Sequence, residues 1–403
     1  MSCLTIRRIR VSRTSCQRCS EPPFSDSTEK ENRRVITSNS YLQIDLQAIK
    51  ENIEQLRREI EPGAKLIPVL KGNAYGLGAV TLGRIISDLG GIDSFAVSQV
   101  AEGVELREAG LEQQILVMSL PLDAQMEAAV EHGLLLTLGS FRQFPILREA
   151  ARKAGKKIPV SLKLDTGLHR IGFRPEETER LIAELKQAED VIEIRDTFSH
   201  FSEHSREQMD LQSRRFRDFR EKLLAAGIQP GLCHMASSAS LESGEDVLFD
   251  AVRVGRRLIL DNPDHPTGKI REAVSYRAWL ADVRERRAGD TLGYDRRIVL
   301  ERDTRVGVLS IGYGDGFDPA LFAAHAPVLI RGRRARLLAC CMDQSFVDLG
   351  DIPAEAGDEV TLFGYDGKGN LLPGQEVAAL IGCEGCDLTT RLTERVARVY
   401  TGA

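Results

Sequence analysis

The chain has 403 residues, of which 42% are hydrophobic and 28% charged, an ordinary globular composition with room for two domains. Its 54 Lys and Arg against 59 Asp and Glu leave a net charge of −5, which gives no electrostatic reason to bind nucleic acid or an anionic membrane. No apolar run approaches the roughly 18 residues of a membrane-spanning helix, and the start of the chain lacks the apolar stretch of a secretory signal. We therefore expect a cytoplasmic protein that acts on a small molecule.

Residues 1–38 are predicted to form a disordered N-terminal extension. The first 20 residues contain five arginines and no acidic residue. This composition faintly resembles an organelle transit segment, and it also fits a disordered tail or an overlong translation start. Residues 20–34 are rich in serine, proline and charge, which is typical of a disordered lead-in.

Residues 39–272 are predicted to form the first folded domain, of the α/β class. Short apolar runs typical of strands alternate there with longer amphipathic segments typical of helices. Predicted strands are 66–70, 94–97, 114–117, 134–138, 159–164, 192–198 and 231–235. Predicted helices are 46–59, 100–108, 124–131, 144–154, 176–187 and 209–226. About eight such units favour a TIM-like (β/α)8 barrel over a doubly wound sheet.

Residues 273–403 are predicted to form a second, mostly β domain. Short alternating apolar runs replace the longer units, for example at 305–312 and 360–364. Gly-Asp pairs at 289–290, 350–351 and 357–358 mark turns between them. The fold class is therefore a barrel followed by a C-terminal β domain.

Two of the motifs in the chain invite a zinc interpretation. The eight cysteines include two C-x-x-C pairs, Cys16 with Cys19 and Cys383 with Cys386, and four thiolates can hold a tetrahedral zinc ion. The pairs lie near opposite ends of the chain, so shared ligation would need those ends to meet. We predict no metal site.

The most informative motif follows the first predicted barrel strand and reads Lys71-Gly-Asn-Ala-Tyr75-Gly-Leu-Gly78. In a barrel, functional groups lie at the carboxyl ends of strands. Partial desolvation there favours the neutral amine that a lysine needs to form a Schiff base. Gly76 and Gly78 would allow a ligand to approach the backbone closely.

This stretch resembles the cofactor-lysine motif of the alanine racemase family, which are pyridoxal 5'-phosphate (PLP) enzymes of fold-type III. The resemblance continues in order from Tyr41 to Tyr400. Its further segments are Lys163-Leu-Asp-Thr-Gly-Leu-His-Arg170-Ile-Gly, Ser199-His200-Phe201, His234-Met-Ala-Ser237-Ser238-Ala, Val252-Arg253-Val-Gly255, Gly293-Tyr294, Ile311-Gly-Tyr313-Gly-Asp-Gly316, Cys341-Met342-Asp343-Gln344 and Arg395-Val-Ala-Arg-Val-Tyr400. Single motifs of this kind are weak, but eight in one order are strong.

The resemblance implies a racemase that uses two proton-transfer groups. Lys71 would carry the cofactor and move the α-proton on one face, and Tyr294, reaching in from the partner of a homodimer, would act on the other. Opposed groups are needed because a proton returned only to the face that lost it regenerates the starting enantiomer. Alanine is the leading substrate.

The resemblance also implies how the cofactor and substrate are held. Tyr75, Ser238 and the backbone N–H groups of Gly255 and Arg256 match the phosphate ligands, with Ser237 beside them. Arg253 matches the arginine that faces the pyridine nitrogen and favours racemisation over transamination, and His200 packs beside the ring. The remaining positions match groups around the substrate: Arg170, Tyr313, the Met342 backbone N–H of the partner, and Lys163, which many relatives carry in carboxylated form.

Three departures from the family pattern affect the substrate prediction. Ser237 replaces the usual Asn, the usual Pro-Gly-Ile-Ala-Leu-Tyr after Arg253 becomes Val-Gly-Arg-Arg-Leu-Ile, and Glu394 replaces a Tyr that lines the substrate pocket. A carboxylate there could favour a substrate with a hydroxyl or amino group, such as serine, lysine, ornithine or arginine, or it could turn outward and pair with an arginine.

Two other PLP proteins remain as alternatives to a racemase. A decarboxylase of basic amino acids would keep the fold, although the Gly293-Tyr294 and Cys341-Met342-Asp343-Gln344 segments resemble the racemases. A non-catalytic PLP-binding barrel resembles this chain around Lys71 but usually lacks a second domain.

Overall fold

The computed structural model describes residues 37–60, 63–242, 249–261, 269–296 and 298–402. The predictions made for residues 1–36, including Cys16 and Cys19, lie outside the described residues. The nineteen strands found in the described ranges are labelled β1 to β19 in chain order: Ser40–Asp45, Lys65–Pro68, Ser94–Val97, Gln114–Val117, Leu135–Leu138, Ile158–Lys163, Ile192–Phe198, Leu232–Ser237, Ala251–Val254, Val274–Arg286, Thr291–Leu292, Ile298–Val299, Thr304–Leu309, Pro327–Ile330, Arg333–Cys340, Ser345–Asp348, Glu359–Tyr365, Leu371–Leu372 and Ala397–Thr401.

The right-handed α-helices of these ranges follow most of the barrel strands. They span Leu46–Glu59, Ala79–Asp88, Val100–Glu108, Met126–Glu131, Gln143–Ala154, Thr178–Gln187, Arg206–Ala225, Ser238–Glu242, Pro319–Ala323, Gly374–Ala379 and Gly385–Thr390. The first shows how the sequence specifies them. Asp45 accepts a hydrogen bond from Ala48 N at 3.0 Å and so caps the helix, and Leu46, Ile49, Ile53 and Leu56 recur on one buried face.

The eight parallel strands β2 to β9 form a barrel, in the order β2-β9-β8-β7-β6-β5-β4-β3. The ring closes between its first and last members, because Leu70 N donates to Ala96 O at 2.8 Å and Val69 bridges Ala96. The predicted barrel is thus confirmed. Since all eight strands run in parallel, their carboxyl ends and the loops that follow them meet at one face.

The second domain is a nine-stranded sheet in the order β18-β17-β14-β15-β16-β13-β10-β1-β19. An additional pairing of β17 with β10 closes six of these strands into a smaller ring. The sheet includes β1, the first strand of the described chain, which pairs antiparallel to β10 and parallel to β19. The described part of the chain therefore contributes its first strand to the sheet of the second domain before it enters the barrel.

Buried apolar side chains run from one domain into the other as one continuous cluster, from Leu42 in β1 to Val396 before β19. This shared core fixes the second domain against the barrel and so positions the residues that it contributes to the barrel mouth. In the described part of the chain, no helix is both long and apolar enough to cross a bilayer.

Candidate active site

A cavity of about 560 Å³ lies at the carboxyl ends of the barrel strands. Two other cavities have similar volumes, about 550 and 560 Å³, so chemistry rather than size singles this one out. It is lined by Lys163 and by every residue expected to bind the cofactor: Lys71, Tyr75, Arg170, His200, Ser237, Ser238, Arg253, Gly255 and Arg256. Residues as far apart in sequence as Lys71 and Arg256 are thereby brought together, as the barrel topology requires.

Lys71 lies at the edge of this cavity and is followed by an unusual backbone turn. Residues 72–75 all adopt left-handed helical angles, with φ between +52° and +61°. Consecutive non-glycine residues in this region are strained, at roughly 1–2 kcal/mol each. Asn73 helps to hold the turn, because its Oδ1 accepts from Ala79 N at 2.7 Å. The turn directs Tyr75 into the cavity, and Lys71 Nζ lies 5.9 Å from the centre of the Tyr75 ring.

Hydrogen-bond donors gather at one corner of the cavity, which we call the donor corner and define as Tyr75, Ser238, Gly255 and Arg256. Gly255 N lies 3.4 Å from Ser238 Oγ, to which it donates. A Cβ on Gly255 would lie 2.1 Å from the Tyr75 hydroxyl, so glycine is needed for this close approach. Burial raises the pKa of Tyr75, which keeps its hydroxyl protonated and able to donate.

Arg253 crosses the floor of the cavity and is almost completely buried, with 4% of its surface exposed. Its guanidinium donates to His234 Nδ1, to Ser199 O at 2.8 Å and to Met235 O at 3.1 Å, and it lies 3.2 Å from His200 Nδ1. These contacts fix its plane. Burial lowers the pKa of Arg253 to about 10, so it stays a cation at neutral pH.

The two histidines beside Arg253 are kept neutral. Burial, with a further contribution from the Arg253 charge, lowers the pKa of His200 to about 3. Burial likewise lowers the pKa of His234. Asp196 Oδ2 lies 3.6 Å from His234 Nε2, and Asp196 also accepts from Ser161 Oγ. The Asp196 carboxylate therefore balances the Arg253 charge across the neutral His234 ring.

Lys163 lies beneath the same cavity with 2% of its surface exposed. Its ammonium donates to Leu164 O at 2.8 Å and lies 5.2 Å from the centre of the Phe198 ring. Burial, reinforced by the Arg253 charge, lowers its pKa to about 7. Arg170, which also lines the cavity, is exposed.

Four residues predicted from the sequence lie outside this cavity in the described chain: Tyr294, Tyr313, Met342 and Glu394. Tyr294 and Met342 are conspicuously exposed, at 68% and 51%, and Tyr313 is exposed as well. Gly314 N donates to Met342 O at 2.9 Å, which holds the Tyr313 turn against the Met342 loop. Glu394 is an exposed residue before β19.

Sequence reasoning missed part of the cavity wall. Some of these residues follow barrel strands, and others come from the second domain: Val69, Ser98, Met118, Ser119, Leu120, Ile171, Phe198, Ala239, Glu384, Cys386 and Asp387. Ser98 and Ser119 could have been found, because Ser98 directly follows β3 and Ser119 lies two residues after the end of β4. Glu384, Cys386 and Asp387 carried no such signal, since only the packing of the second domain brings them to the barrel.

One member of the Cys383 and Cys386 pair reaches the cavity. Cys386 lines the cavity wall, and burial raises the pKa of its thiol to about 12. Within the described ranges, no group of three or more His, Cys, Asp or Glu side chains is arranged to hold a metal ion.

Comparisons with known proteins point in the same direction as this geometry. Residues 44–263 match the family "Alanine racemase, N-terminal domain" and residues 273–400 match "Alanine racemase, C-terminal domain". The chain is 31% identical to the alanine racemase of Desulforamulus reducens over 371 residues, which cover 90% of this chain and 99% of the relative. It is 33% identical to that of Yersinia pestis over 366 residues, 89% of this chain and 98% of the relative.

Solved structures show the same similarity. The alanine racemase from D-cycloserine-producing Streptomyces lavendulae superposes with a TM-score of 0.85 at 31% identity, over 91% of this chain and 98% of that one. The alanine racemase from Bartonella henselae, solved with covalently bound pyridoxal phosphate, superposes with a TM-score of 0.81 at 25% identity, over 90% of this chain and 100% of that one.

Proposed function

Because the chain belongs to the alanine racemase family, we propose that it interconverts the two enantiomers of alanine with PLP as its cofactor. The observation that carries this proposal is the cavity at the barrel mouth. There Lys71, the buried Arg253 and the donor corner face one space. A lysine, a fixed cation and a set of hydrogen-bond donors are the groups that an aldehyde, a ring nitrogen and a phosphate require.

The charge of the cavity supports an anionic cofactor and an amino-acid substrate. Five basic side chains line it, Lys71, Lys163, Arg170, Arg253 and Arg256, against two carboxylates, Glu384 and Asp387. The donor corner offers hydrogen-bond donors, and a phosphate group, whose oxygens are acceptors, needs such donors. When bound, PLP withdraws electrons from the substrate and so acidifies its α-proton.

Lys71 is the group we assign to proton transfer on one face of the substrate. Tyr294 serves the other face, reaching in from the partner of a homodimer. The exposure of Tyr294, Tyr313 and Met342 supports this arrangement, because aromatic and methionine side chains are typical of protein interfaces. In a two-fold dimer each chain would contribute these residues to the cavity of the other.

Arg253 and His200 determine which chemistry follows proton removal. With PLP bound, the Arg253 cation would donate a hydrogen bond toward the ring nitrogen and oppose its protonation. Four acceptors hold the guanidinium in a fixed plane, and the neutral His200 packs alongside. We therefore propose that the site favours return of the proton over transfer of the amino group.

Lys163 and Arg170 complete the substrate side of the site. A pKa of about 7 leaves much of the Lys163 amine neutral at the pH of a cell, and a neutral amine is the form that reacts with carbon dioxide. We propose that Lys163 is carboxylated and that the carboxylate pairs with Arg170, whose guanidinium orients the substrate.

Alanine is favoured over serine and basic amino acids as the substrate. The argument for a longer substrate depended on Glu394, which is exposed and outside the cavity of its own chain. The carboxylates that do line the cavity already have partners in the protein: Glu384 pairs with Arg256, and Asp387 accepts from Glu384 N.

The test is a chiral chromatographic assay of the PLP-loaded protein with L-Ala, L-Ser, L-Lys, L-Orn and L-Arg. We expect rapid conversion of alanine. Lys71→Ala should abolish both turnover and the visible absorbance of the bound cofactor. Preferred conversion of serine or a basic amino acid would overturn the substrate, release of carbon dioxide would indicate a decarboxylase, and PLP binding without any exchange of the α-proton would indicate a non-catalytic protein.

A further inference from the structure

Arg256 introduces a side chain into the donor corner that the family resemblance does not explain. The family usually has an isoleucine here, so the resemblance assigns only the backbone N–H of this residue to the phosphate. In this chain the Arg256 side chain lines the cavity, and only 11% of it is exposed. A nearly buried guanidinium is costly unless it has partners of opposite charge.

One partner of Arg256 comes from the second domain. Glu384 Oε2 lies 3.3 Å from Arg256 Nε, and the Glu384 side chain is 61% exposed. The Glu384 backbone is fixed, since its N–H donates to Asp387 Oδ2 at 3.0 Å. An ion pair with one partner so exposed adds little stability. We therefore explain the Arg256–Glu384 ion pair by its effect on position: it holds the Arg256 guanidinium in the cavity wall.

The guanidinium is held next to the neutral donors of the corner. Arg256 directly follows Gly255, whose N–H donates to Ser238 Oγ and where an added Cβ would lie 2.1 Å from the Tyr75 hydroxyl. The positive charge of Arg256 acts on both Tyr75 and Cys386, opposing the effect of burial on their pKa values. Arg256 thus shares one small volume with Tyr75, Ser238 and Gly255.

We propose that the Arg256 side chain is a direct ligand of the cofactor phosphate, and that Glu384 is a positioning residue that aims its guanidinium at the donor corner. This inference rests on the proposed use of PLP. Hydrogen bonds from a cation to a phosphate are about twice as strong as those from neutral donors. Arg256 therefore adds charge recognition to a site that Tyr75, Ser238 and Gly255 would otherwise build from neutral groups.

The test compares PLP with pyridoxal, which lacks the phosphate. Each is returned to the cofactor-depleted protein, and its dissociation constant is measured from the visible absorbance. The dissociation constant of pyridoxal divided by that of PLP measures how much the phosphate strengthens binding. We expect Arg256→Met to reduce this ratio at least about tenfold, while binding of pyridoxal itself changes little. Arg256→Lys should retain part of the ratio, because it keeps the charge and loses the planar fork.

Glu384 is tested in the same way. Glu384→Ala should reduce the ratio less than Arg256→Met, and Glu384→Gln, which keeps a hydrogen-bond acceptor for Arg256 Nε, should restore it. The matched control is Arg152→Met, which breaks an exposed Arg–Glu pair, with Glu149 at 2.7 Å, on a helix that contributes no residue to the cavity wall. Its ratio should equal that of the unaltered protein.

The possible failures are distinguishable. An unaltered protein that binds no PLP overturns the proposed function itself. Normal PLP binding with an unchanged ratio in Arg256→Met overturns only the role of Arg256, and so does an equal loss of PLP and pyridoxal binding. Should Arg256→Met fold poorly, Arg256→Gln and Arg256→Lys give the same comparison, and inorganic phosphate should compete with PLP less effectively in each.

Discussion

Lys163 is a buried lysine whose charged form destabilises the folded protein. Its pKa is about 7 in the folded protein, against 10.5 for an ordinary lysine, because burial and the Arg253 charge disfavour its ammonium form. Between these two values the unfolded chain binds more protons than the folded chain. The free energy of unfolding should therefore rise with pH across this window and lose that contribution as pH falls to about 7 and below.

We expect Lys163→Met to stabilise the protein most at low pH. At about pH 6 the gain in the free energy of unfolding should be on the order of 3 kcal/mol, and it should shrink toward zero near pH 10. Urea unfolding at both pH values, without dissolved carbon dioxide, measures this. Lys153→Met, at a lysine whose side chain is 63% exposed, is the control and should show no such pH dependence. A pH-independent effect of Lys163→Met would contradict the assigned pKa.

His200 should remain neutral throughout the physiological range. Burial and Arg253 lower its pKa to about 3, and an Arg N–H directed at Nδ1 leaves that nitrogen only the role of acceptor. In ¹⁵N NMR spectra, the ring nitrogens of His200 should show no titration between about pH 5 and 8. His200→Ala identifies the signal. A midpoint near that of a free imidazole would show that the ring is solvated and that Arg253 does not govern it.

At the scale of elements, the left-handed turn after Lys71 depends on the second domain. A Cβ on Gly76, which has φ +84°, would lie 2.2 Å from the backbone oxygen of Thr389 in the helix Gly385–Thr390. That helix also carries Cys386 and Asp387 of the cavity wall. The close contact between turn and helix therefore sets both the direction of Lys71 and the position of this wall.

We expect Gly76→Ala to destabilise the protein beyond the cost of its backbone angle. The control is Gly110→Ala, where φ is +90° and an added Cβ would have no atom within 4 Å. Gly76→Ala should reduce the free energy of unfolding by about 1–3 kcal/mol more than the control, because a backbone atom cannot move aside as a side chain can. Chemical denaturation of both variants measures the difference. Equal losses in the free energy of unfolding would mean that the contact between the turn and the helix is loose enough to accommodate a Cβ.

Some elements were predictable and others were not, for physical reasons. The strands 94–97, 114–117 and 192–198 occur where their apolar runs predicted them. The eighth barrel strand, β9, was missed because its four residues include the buried Arg253, which interrupts the apolar pattern. The short helix Ala79–Asp88 was missed as well. Local rules fail at β9 because the active site requires a charge inside the barrel.

At the scale of the molecule, the shared-site proposal makes a quantitative prediction. Lys71→Ala and Tyr294→Ala should each be inactive alone. When equal amounts of the two variants are mixed and their subunits exchange, half of the dimers would be hybrids. Each hybrid would hold one cavity with both Lys71 and Tyr294 intact. Racemase activity should recover to roughly a quarter of that of the unaltered protein. No recovery, with exchange verified by a mass tag, would mean that Tyr294 does not act across a dimer.

The sequence by itself determined the barrel, the β domain and most of the residues around the cavity. Strand periodicity is local, and strand ends in a parallel barrel must converge, so the site could be placed at the barrel mouth. The resemblance to the alanine racemase family then implied that Lys71, Arg170, His200 and Arg253 belong to it, and all four line one cavity. Tertiary structure alone decided the rest. It moved β1 into the second sheet, left Glu394 outside the cavity and brought Glu384 to Arg256. These outcomes depend on how two domains pack across a shared core, and contacts between residues far apart in the chain leave no periodic trace in it.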